Sequence, residues 1–561
     1  MKKKCFIIER RDYFMNKKRC LSLLLASVLI LTALCSLSVS ADEPQKTVSV
    51  YSGTKDYDLW MPLLEAGTPA DVTIMTADQL MAFADLTLGY NFAGWTIKLG
   101  ADMVVNTGDA STWATTAPKY TWKCSTTWTY RFAGNFDGQG HVISGLYSNY
   151  GQECGLFGTV TGGNTIQNVS IINSYFRFKS ESGDDVCLMG GIVGFIDGYN
   201  EGGKYDGLTT TIKNVYVNAT LYTDCDVAAP STKVGVGGIV GIFGNTSRQD
   251  LVIENVVFEG DLTSTYRNVG GLIGRVLLLG SGTVKIKNCS VNADIKSTNE
   301  DEPNVGGLIG LSNANIEIED CILRGTVEVA KSKMTSAFIG FENTQSNLHI
   351  TVNGLLLAVT PVPTGEESDL IFRTLLLNYY INANKSLIIG FDNVRYDSSL
   401  YEYPVEMRQI DKTSGDNMAI GADFKATGVA TESLKGQAVF TGWTAVENDY
   451  PVPAGVTVPT IDVDAYINAT PADPGENPGE NPGENPGENP GENPGENPGE
   501  NPGEQPGETV TTGTTVTTKE PATTETQTQK KGCGSTVGAA GISILAVVSI
   551  LGVALSKKKE N

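Results

Sequence analysis

Histidine is nearly absent from this chain of 561 residues, which contains only His141 and His349. No His-Glu-x-x-His segment occurs, so the chain is not a zinc protease of the kind that takes two ligands from one helix. Two histidines also leave little room for a histidine-based catalytic triad. Both are expected to be ordinary strand residues, His141 next to a turn formed at Asp137.

Basic residues are the second scarcity, because 41 Lys and Arg stand against 63 Asp and Glu and give a formal charge of -22. Nucleic-acid binding draws most of its affinity from Lys and Arg that neutralise phosphates, so the composition predicts no nucleic-acid partner. A surplus of acid favours solubility and repulsion from anionic membranes and glycans.

The two ends of the chain predict secretion and anchoring. Residues 1–41 form a basic head, an apolar run and a small-residue cleavage site, which is typical of a signal peptide, with translation starting at Met1 or Met15. Residues 536–555 carry no charge and match a bilayer core, so we predict one transmembrane helix. The lysines in residues 556–561 place that tail in the cytoplasm. The alternative for residues 536–555 is a buried core helix.

Residues 471–531 lack the apolar side chains that a core requires. Pro-Gly-Glu occurs nine times between Pro474 and Glu508, and eleven threonines follow between Thr509 and Gln529. Such a segment cannot offset the entropy of ordering, so we predict a disordered stalk that is extended by proline and by like charge. Its expected role is to hold the folded domain away from the membrane.

What the chain has in abundance is a repeated pentad rich in glycine. Its successive last glycines are 30 to 50 residues apart, which is typical of a repeat protein with loop insertions. The five clear copies begin at Cys154, Gly190, Gly237, Gly270 and Gly306, and weaker copies end at Gly340 and Gly390. A glycine pair is expected where a corner needs positive φ or where a Cβ would clash with a neighbouring coil.

A second element follows most pentads, with alternating apolar and polar residues and an asparagine at a fixed position. The copies begin at Ile166, Ile212, Ile253, Ile286 and Ile318. Their β-branched composition predicts strands of four to six residues. Stacked repeats of this kind form a parallel β-solenoid, here of about seven coils, with an asparagine ladder along one turn.

These pentads resemble the GLUG motif of bacterial surface proteins, and the segment from Phe132 to Leu146 looks like the coil that opens GLUG repeats. The resemblance spans roughly residues 70–455. It implies an all-β fold, a right-handed parallel β-helix over residues 132–400, on an adhesin-like protein. It implies little about activity, because a fold does not fix a function.

Caps are expected at both ends of the solenoid. Residues 42–131 should form the N-terminal cap, with a short helix that starts at a capping box in Thr76–Gln79 and with an aromatic hairpin. Residues 401–470, which include Trp443 and Tyr450, should close the other end. Covered ends protect exposed strand edges from aggregation.

Aromatic residues supply the candidate binding site. Alternation puts Tyr120 and Trp122 on one face of a strand, and Trp128 and Tyr130 on one face of the next, with Trp113 in the same insertion. Exposed aromatic stripes stack on sugar rings, so these five residues are the predicted carbohydrate-binding residues. The alternative is that they pack the cap onto the first coil.

The six cysteines of the folded region are expected to be mostly buried thiols, since Cys289 and Cys321 take a position that valine holds in other coils. Secretion leaves disulfides permissible. Acidic loops before the pentads are expected to be solvated charges, with a calcium-binding strip as the alternative. They comprise Glu181, Asp184, Asp185, Asp224, Asp226, Glu300, Asp301 and Glu302.

We therefore predict a cell-surface β-helix that acts without catalysis as an adhesin or glycan-binding protein, with no catalytic residue, metal or cofactor. Its predicted partners are a carbohydrate or host-surface ligand and the membrane. The alternatives are a carbohydrate-active enzyme, namely a polysaccharide lyase or a glycoside hydrolase, and a purely structural surface protein.

Overall fold

A computed structural model describes residues 47–471 with short gaps. The gaps are 125–129, 150–151, 181–185, 198–203, 205, 226–233, 245–247, 278–281, 300–302, 330–333, 345, 364–374, 382–384, 402–404, 411–416 and 420–425. The predicted signal peptide, most of the predicted stalk, the predicted transmembrane helix and the tail lie outside the described residues. Among the described residues, no helix combines the length and hydropathy that a membrane span requires.

In the described part of the chain, three sheets, here named A, B and C, form the walls of a solenoid. Sheet A contains fourteen strands: β1 Val48–Val50, β2 Asp71–Ile74, β3 Thr96–Leu99, β4 Asp102–Val104, β5 Asn135–Ser144, β6 Tyr147–Ser148, β9 Thr165–Ser180, β12 Thr209–Cys225, β15 Asp250–Ser264, β18 Thr283–Ser297, β21 Asn315–Val329, β24 Leu348–Pro363, β26 Leu387–Asp397 and β29 Thr427–Val429. Sheet C contains six: β7 Glu153–Cys154, β10 Cys187–Gly190, β13 Val234–Gly237, β16 Val269–Gly270, β19 Val305–Gly306 and β22 Thr335–Ser336.

Sheet B contains nine described strands: β8 Phe157–Thr161, β11 Val193–Asp197, β14 Val240–Phe243, β17 Ile273–Val276, β20 Ile309–Ser312, β23 Ile339–Thr344, β25 Leu375–Ile381, β27 Glu406–Ile410 and β28 Asn417–Ala419. A separate hairpin pairs β30 Thr444–Val446 with β31 Asp449–Val452. The helices are α1 Met61–Ala66, α2 Ala77–Leu86 and α3 Val463–Ile467, with 3-10 turns at Ala110–Thr112 and Thr431–Ser433.

Each coil passes through sheets A, C and B in that order, and each strand pairs in parallel with the same strand of the neighbouring coils. β12, for example, pairs in parallel with β9 on one side and β15 on the other. The predicted all-β parallel β-helix is therefore confirmed. Eight described coils contribute to sheet A, from β5 to β26, one more than the sequence predicted. The right-handed winding stays a prediction.

The strands of sheet A are longer than the four to six residues predicted. β9, β12 and β15 have 16, 17 and 15 residues. Each passes through an asparagine with positive φ, such as Asn214 at 53°, and pairing resumes directly after it. The alternating pattern ends at that bend, and this is why the sequence suggests two short elements where one bent strand forms.

The predicted asparagine ladder is present at this bend. The amide of Asn214 donates to Asn168 Oδ1 at 2.8 Å, and that of Asn255 donates to Asn214 Oδ1 at 3.0 Å. Asn288 continues the series onto Asn255 at 3.2 Å, and Asp137 begins it by accepting from Asn168 at 2.9 Å. Asparagine suits the position because it tolerates left-handed φ and its side chain both donates and accepts.

The paired glycines lie at the corner between sheets C and B, as predicted, but for only one of the two proposed reasons. None of the eight glycines that open the four Gly-Gly pentads has positive φ. Instead, a Cβ on Gly238 would lie 2.3 Å from the carbonyl oxygen of Gly271, and one on Gly271 would lie 2.1 Å from that of Gly307. Close contact between successive coils therefore requires glycine here.

The weaker pentad copies have different outcomes. Gly340 lies in β23 at the position that Gly310 holds in the coil before, so it is a true copy. The copy assigned to Gly390 is wrong. Gly390 lies inside β26 of sheet A, opposite Thr351, and a Cβ there would meet nothing within 4 Å.

The core is a set of columns in which equivalent residues of successive coils stack. Ile166, Ile212, Ile253, Ile286 and Ile318 form one such column, and all are 3% exposed or less. Cys289 and Cys321 are stacked in register in the next column, and both are free and buried, as predicted. Cys124, Cys154 and Cys187 are buried as well. The burial of Cys154 raises its pKa to about 12.

The N-terminal cap contains the predicted helix. Thr76 Oγ1 accepts from the amide of Gln79 at 3.2 Å, while the Gln79 side chain accepts from the amide of Met75 at 2.9 Å. α2 then places Phe83 against the first coil, 5.8 Å from Phe132 and 6.4 Å from Phe157 between ring centroids. The cap thus continues the aliphatic core as an aromatic one.

The C-terminal segment departs from the predicted end cap. Residues 431–452 lie on the flank of the solenoid, where Phe440 and Trp443 pack on Ile322 and Leu356 of sheet A. Residues 453–469, here called the strap, then run back to the N-terminal cap. Tyr466 packs there with Val104, Val142 and Ile172, and the amide of Gly108 donates to Ile467. The aromatic residues of this segment therefore cover a side wall.

Candidate functional site

Trp122, predicted to present its ring to a sugar, is 1% exposed. Its Nε1 donates to the carbonyl oxygens of Gly155 and Leu156 at 3.1 and 3.2 Å. The ring therefore joins the cap to the first pentad. Its assignment to an exposed aromatic stripe is wrong, because a satisfied buried indole offers no face to a ligand.

The other predicted aromatic residues do not form one surface. Trp113 is 4% exposed and packs edge-on against Tyr147, so it too is wrongly assigned. Tyr120 is half-buried, and its ring centroid lies 4.6 Å from that of Tyr51, while Tyr130 is exposed. Trp128 lies outside the described residues. Residues 120–124 contain no strand, so the described half of the predicted hairpin is absent and the alternation argument does not apply to it.

A trough of about 500 Å³ lies between sheet A and the strap. Its floor is the ladder formed by Asn168, Asn214 and Asn255, and one side is formed by Gly455, Thr457 and Pro459 of the strap. Tyr216 and Val215 complete the wall of sheet A. Its volume falls within the range of small-molecule sites. Here and below, "the trough" means this space.

The ladder presents a regular row of polar groups to the trough. Each amide uses one N–H to reach the coil before it, which leaves the second N–H and one lone pair of the oxygen for other partners. Asp137 fixes the first rung. Burial alone would raise its pKa, but hydrogen bonds from Asn168, Gln139 and Gln167 outweigh burial and lower it.

Tyr216 adds an aromatic wall beside the amides. Its hydroxyl donates to Glu259 at 2.7 Å, which holds the half-buried ring in place. Burial, and then this hydrogen bond, raise the pKa of Tyr216. The sequence signal for the site was the asparagine repeat, which we assigned only a structural role. No periodic signal marks the strap.

Asp102 and His141 form a polar contact with a structural role. Asp102, fully buried, lies 2.8 Å from Nδ1 of His141 and accepts from the amide of Val142 and the hydroxyl of Tyr466. His141 thus belongs to the junction of cap, first coil and strap. His349 is a residue of β24.

Asp261 and Asp294 form an acid pair that no sequence pattern indicated. They are direct neighbours in register on the outer face of sheet A. Burial, and then the charge of Asp294, raise the pKa of Asp261. Neither residue lines the trough.

Most of the predicted acidic loop residues lie outside the described residues, and Asp224 is the exception. Within the described ranges, no group of three His, Cys, Asp or Glu side chains is arranged to hold a metal ion. The calcium alternative stays untested.

No protein-family model matches the chain. It is 36% identical over 123 residues to halomucin of Haloquadratum walsbyi, and 26% identical over 210 residues to the immunoglobulin A1 protease of Streptococcus pneumoniae. These stretches cover 22% and 36% of this chain. The chain spans only 1% and 8% of the two relatives' lengths.

A solved structure from Bacteroides ovatus, described as a candidate immunoglobulin A1 protease, is also similar. It is 17% identical, covers 69% of this chain and 93% of its own, and superposes with a TM-score of 0.35. The resemblance to the GLUG motif stays a prediction.

Proposed function

We propose that this protein is displayed on the cell surface and binds a polysaccharide in the trough without cleaving it. The observation that carries the proposal is the ladder of amides along the trough floor beside the Tyr216 ring. A row of donors and acceptors that repeats with every coil matches a polymer whose hydroxyl groups also repeat. The apolar face of a tyrosine suits the C–H face of a sugar ring.

The display part of the proposal depends on the ends of the chain. The predicted signal peptide supports export, and the predicted transmembrane helix and stalk support anchoring with the β-helix outside the cell. The acidic composition supports the absence of a nucleic-acid partner.

The test fills the trough without disturbing the core. Thr457 is exposed and lines the trough, so Thr457→Trp should occupy it. Thr460→Trp is the matched control, since Thr460 is exposed on the same strap and does not line the trough. The full-length protein is incubated with neutral plant, fungal and bacterial polysaccharides, and retention and reducing-end release are both measured.

Retention of a neutral polysaccharide that falls at least tenfold in Thr457→Trp and persists in Thr460→Trp supports the proposal. Equal retention by both variants overturns the trough as the site. Release of reducing ends overturns the non-catalytic function.

A carbohydrate-active enzyme is the second candidate, and the Asp261–Asp294 pair favours it. Two neighbouring carboxyl groups, one with a raised pKa, are the minimum that glycoside hydrolysis requires. If this candidate is correct, reducing ends appear with the wild-type protein and disappear with Asp294→Asn. Thr326 Oγ1 donates to Asp294 at 2.8 Å and would keep the asparagine in place.

A further inference from the structure

A second cavity lies where sheets B and C adjoin in coils four to six, and its lining shares no residue with the trough. Its volume is about 220 Å³, close to the space that one sugar ring requires. It is lined by Arg267, Asn268, Arg275, Asn304, Leu311, Met334, Phe341 and Asn343. This composition contrasts with the acidic chain as a whole.

Arg275 lies in a column of otherwise apolar residues. Its neighbours in register are Ile242 in the coil before and Leu311 in the coil after, and Phe341 follows Leu311. Ile242 and Phe341 are 4% and 8% exposed. An aliphatic residue would satisfy this position, so packing alone does not explain the arginine.

The guanidinium of Arg275 lacks a compensating charge within the described part of the chain. No described carboxylate forms an ion pair with it, and its buried Nε has no hydrogen-bond partner there. Burial, and then the charge of Arg267, lower the pKa of Arg275 to about 10. A guanidinium that is largely withdrawn from water and lacks an ion-pair partner favours an anion beside it, because its charge otherwise bears an uncompensated desolvation cost.

Asn304 adds an acceptor to the same cavity. Its Nδ2 donates to Asn268 Oδ1 at 2.8 Å, and the amide of Asn268 donates to the carbonyl oxygen of Val234 at 2.7 Å. In the next coil Met334 takes the equivalent place and has no donor to continue the series. Asn304 is 4% exposed, and its Oδ1 is buried without a partner.

The remaining walls of the cavity are apolar. Leu311, Met334 and Phe341 face the two arginines and the amide. An inorganic sulfate ion would pair with Arg275, but it has no hydrogen to donate to Asn304, and neither sulfate nor phosphate has an apolar face to pack on Phe341. A sugar with an acidic group can pair with a cation, donate a hydroxyl to Asn304 and pack its ring on Phe341.

We propose that this cavity binds one carboxylated sugar residue. Its carboxylate pairs with Arg275, whose guanidinium fork matches the two oxygens. A ring hydroxyl donates to Asn304 Oδ1, and the C–H face of the ring contacts Phe341. The composition-based expectation of repulsion from anionic glycans thus has a local exception, because a charge pair inside the cavity is screened far less than the exposed acidic groups of the surface. This site is independent of the trough.

The experiment measures binding of methyl glucuronide to the full-length protein by calorimetry or ligand-observed NMR. The comparison ligands are its neutral methyl ester, a sugar bearing a sulfate ester, and inorganic sulfate. Arg275→Met removes the cation, and folding should be retained because Ile242 and Leu311 occupy the same column. Leu311→Glu keeps Arg275 but places a carboxylate beside it. Lys285→Met, on the outer face of sheet A, is the control.

We expect methyl glucuronide to bind at least tenfold more weakly to Arg275→Met and to Leu311→Glu than to the wild type and to Lys285→Met. The methyl ester should bind at least tenfold more weakly to the wild type. Unchanged binding in both cavity variants, or equal binding of ester and acid, overturns the proposal. Binding of the sulfate ester or of inorganic sulfate without binding of the glucuronide overturns the carboxylate assignment. Thr457→Trp should leave this binding intact even if the trough binds nothing.

Discussion

The hydroxyl of Tyr466 donates a 2.7 Å hydrogen bond to the buried carboxylate of Asp102, 364 residues earlier in the chain. This bond joins the end of the strap to the strand that precedes the first coil. Asp102 also lies 2.8 Å from His141 and accepts from the amide of Val142. One carboxylate therefore holds three segments together, and its partners can be removed one at a time.

Removing the hydroxyl group that the strap contributes should weaken this junction. We expect Tyr466→Phe to lower the free energy of unfolding by about 1.5–3 kcal/mol, since a hydrogen bond to a buried charge is lost. The measurement is urea denaturation, together with the rate of proteolytic cleavage within residues 453–469. Tyr90→Phe, at an exposed ring, is the control and should leave both unchanged. Equal stability of the two variants would show that the strap adheres without this bond.

The hydrogen-bonded pair of amides formed by Asn268 and Asn304 can be extended by one coil. Met334 has a φ of 58°, which is unfavourable for a side chain of its shape, and it stands next to the unpartnered Asn304 Oδ1. Met334→Asn should raise the free energy of unfolding by about 1–2 kcal/mol, because asparagine tolerates this φ and can donate to Asn304. Met334→Leu keeps the strain and the orphaned acceptor and should show no gain. Thermal unfolding distinguishes them, and a stabilised leucine variant would contradict the explanation.

The corner glycines should not tolerate a methyl group. We expect Gly271→Ala to cost about 3 kcal/mol or to prevent folding, because its Cβ would lie 2.1 Å from the carbonyl oxygen of Gly307. Gly390→Ala is the control, since no atom lies within 4 Å of a Cβ there. Circular dichroism and thermal unfolding of the two variants test the assignment of Gly390 as an ordinary strand residue. Comparable losses of stability in the two variants would contradict that assignment.

Glu342 should make stability depend on pH. It is fully buried opposite Ser312, and burial raises its pKa from 4.5 to about 8. Between these values the unfolded chain releases a proton that the folded chain retains. Stability therefore falls as pH rises, by up to about 1.4 kcal/mol per unit, and levels off above pH 8.

Glu342→Gln should remove most of this slope. We expect the variant and the wild type to melt alike near pH 4, and the variant to be the more stable near pH 7.5. Glu447→Gln, at an exposed position, should keep the wild-type profile. A variant that is less stable at every pH would contradict a protonated, uncharged Glu342.

The periodic part of this fold could be predicted from the sequence, and the non-periodic part could not. Asn214 and Asn255 recur at the same offset from a pentad, so their ladder follows from stacking alone. Tyr466 has no repeated counterpart, and nothing local indicates a partner 364 residues away. Alternation has meaning only within a strand, and residues 120–124 form none, so the pattern around Trp122 cannot show that its ring is buried. Gly390 follows two isoleucines just as Gly194 follows Ile192 and Val193. Only the strand register, which places Gly390 in sheet A, shows that it is not part of a pentad.

The strap changes how the protein would carry a mechanical load. The strap passes along the outside of the coils it came from and reaches the first coil at Tyr466 and Ala469. Tension applied at that point acts first on α3 and on the bond between Tyr466 and Asp102, and reaches the coils only after these give way. The strap is therefore in series with the β-helix, as a short length of chain that can be drawn out under force while the coils remain folded.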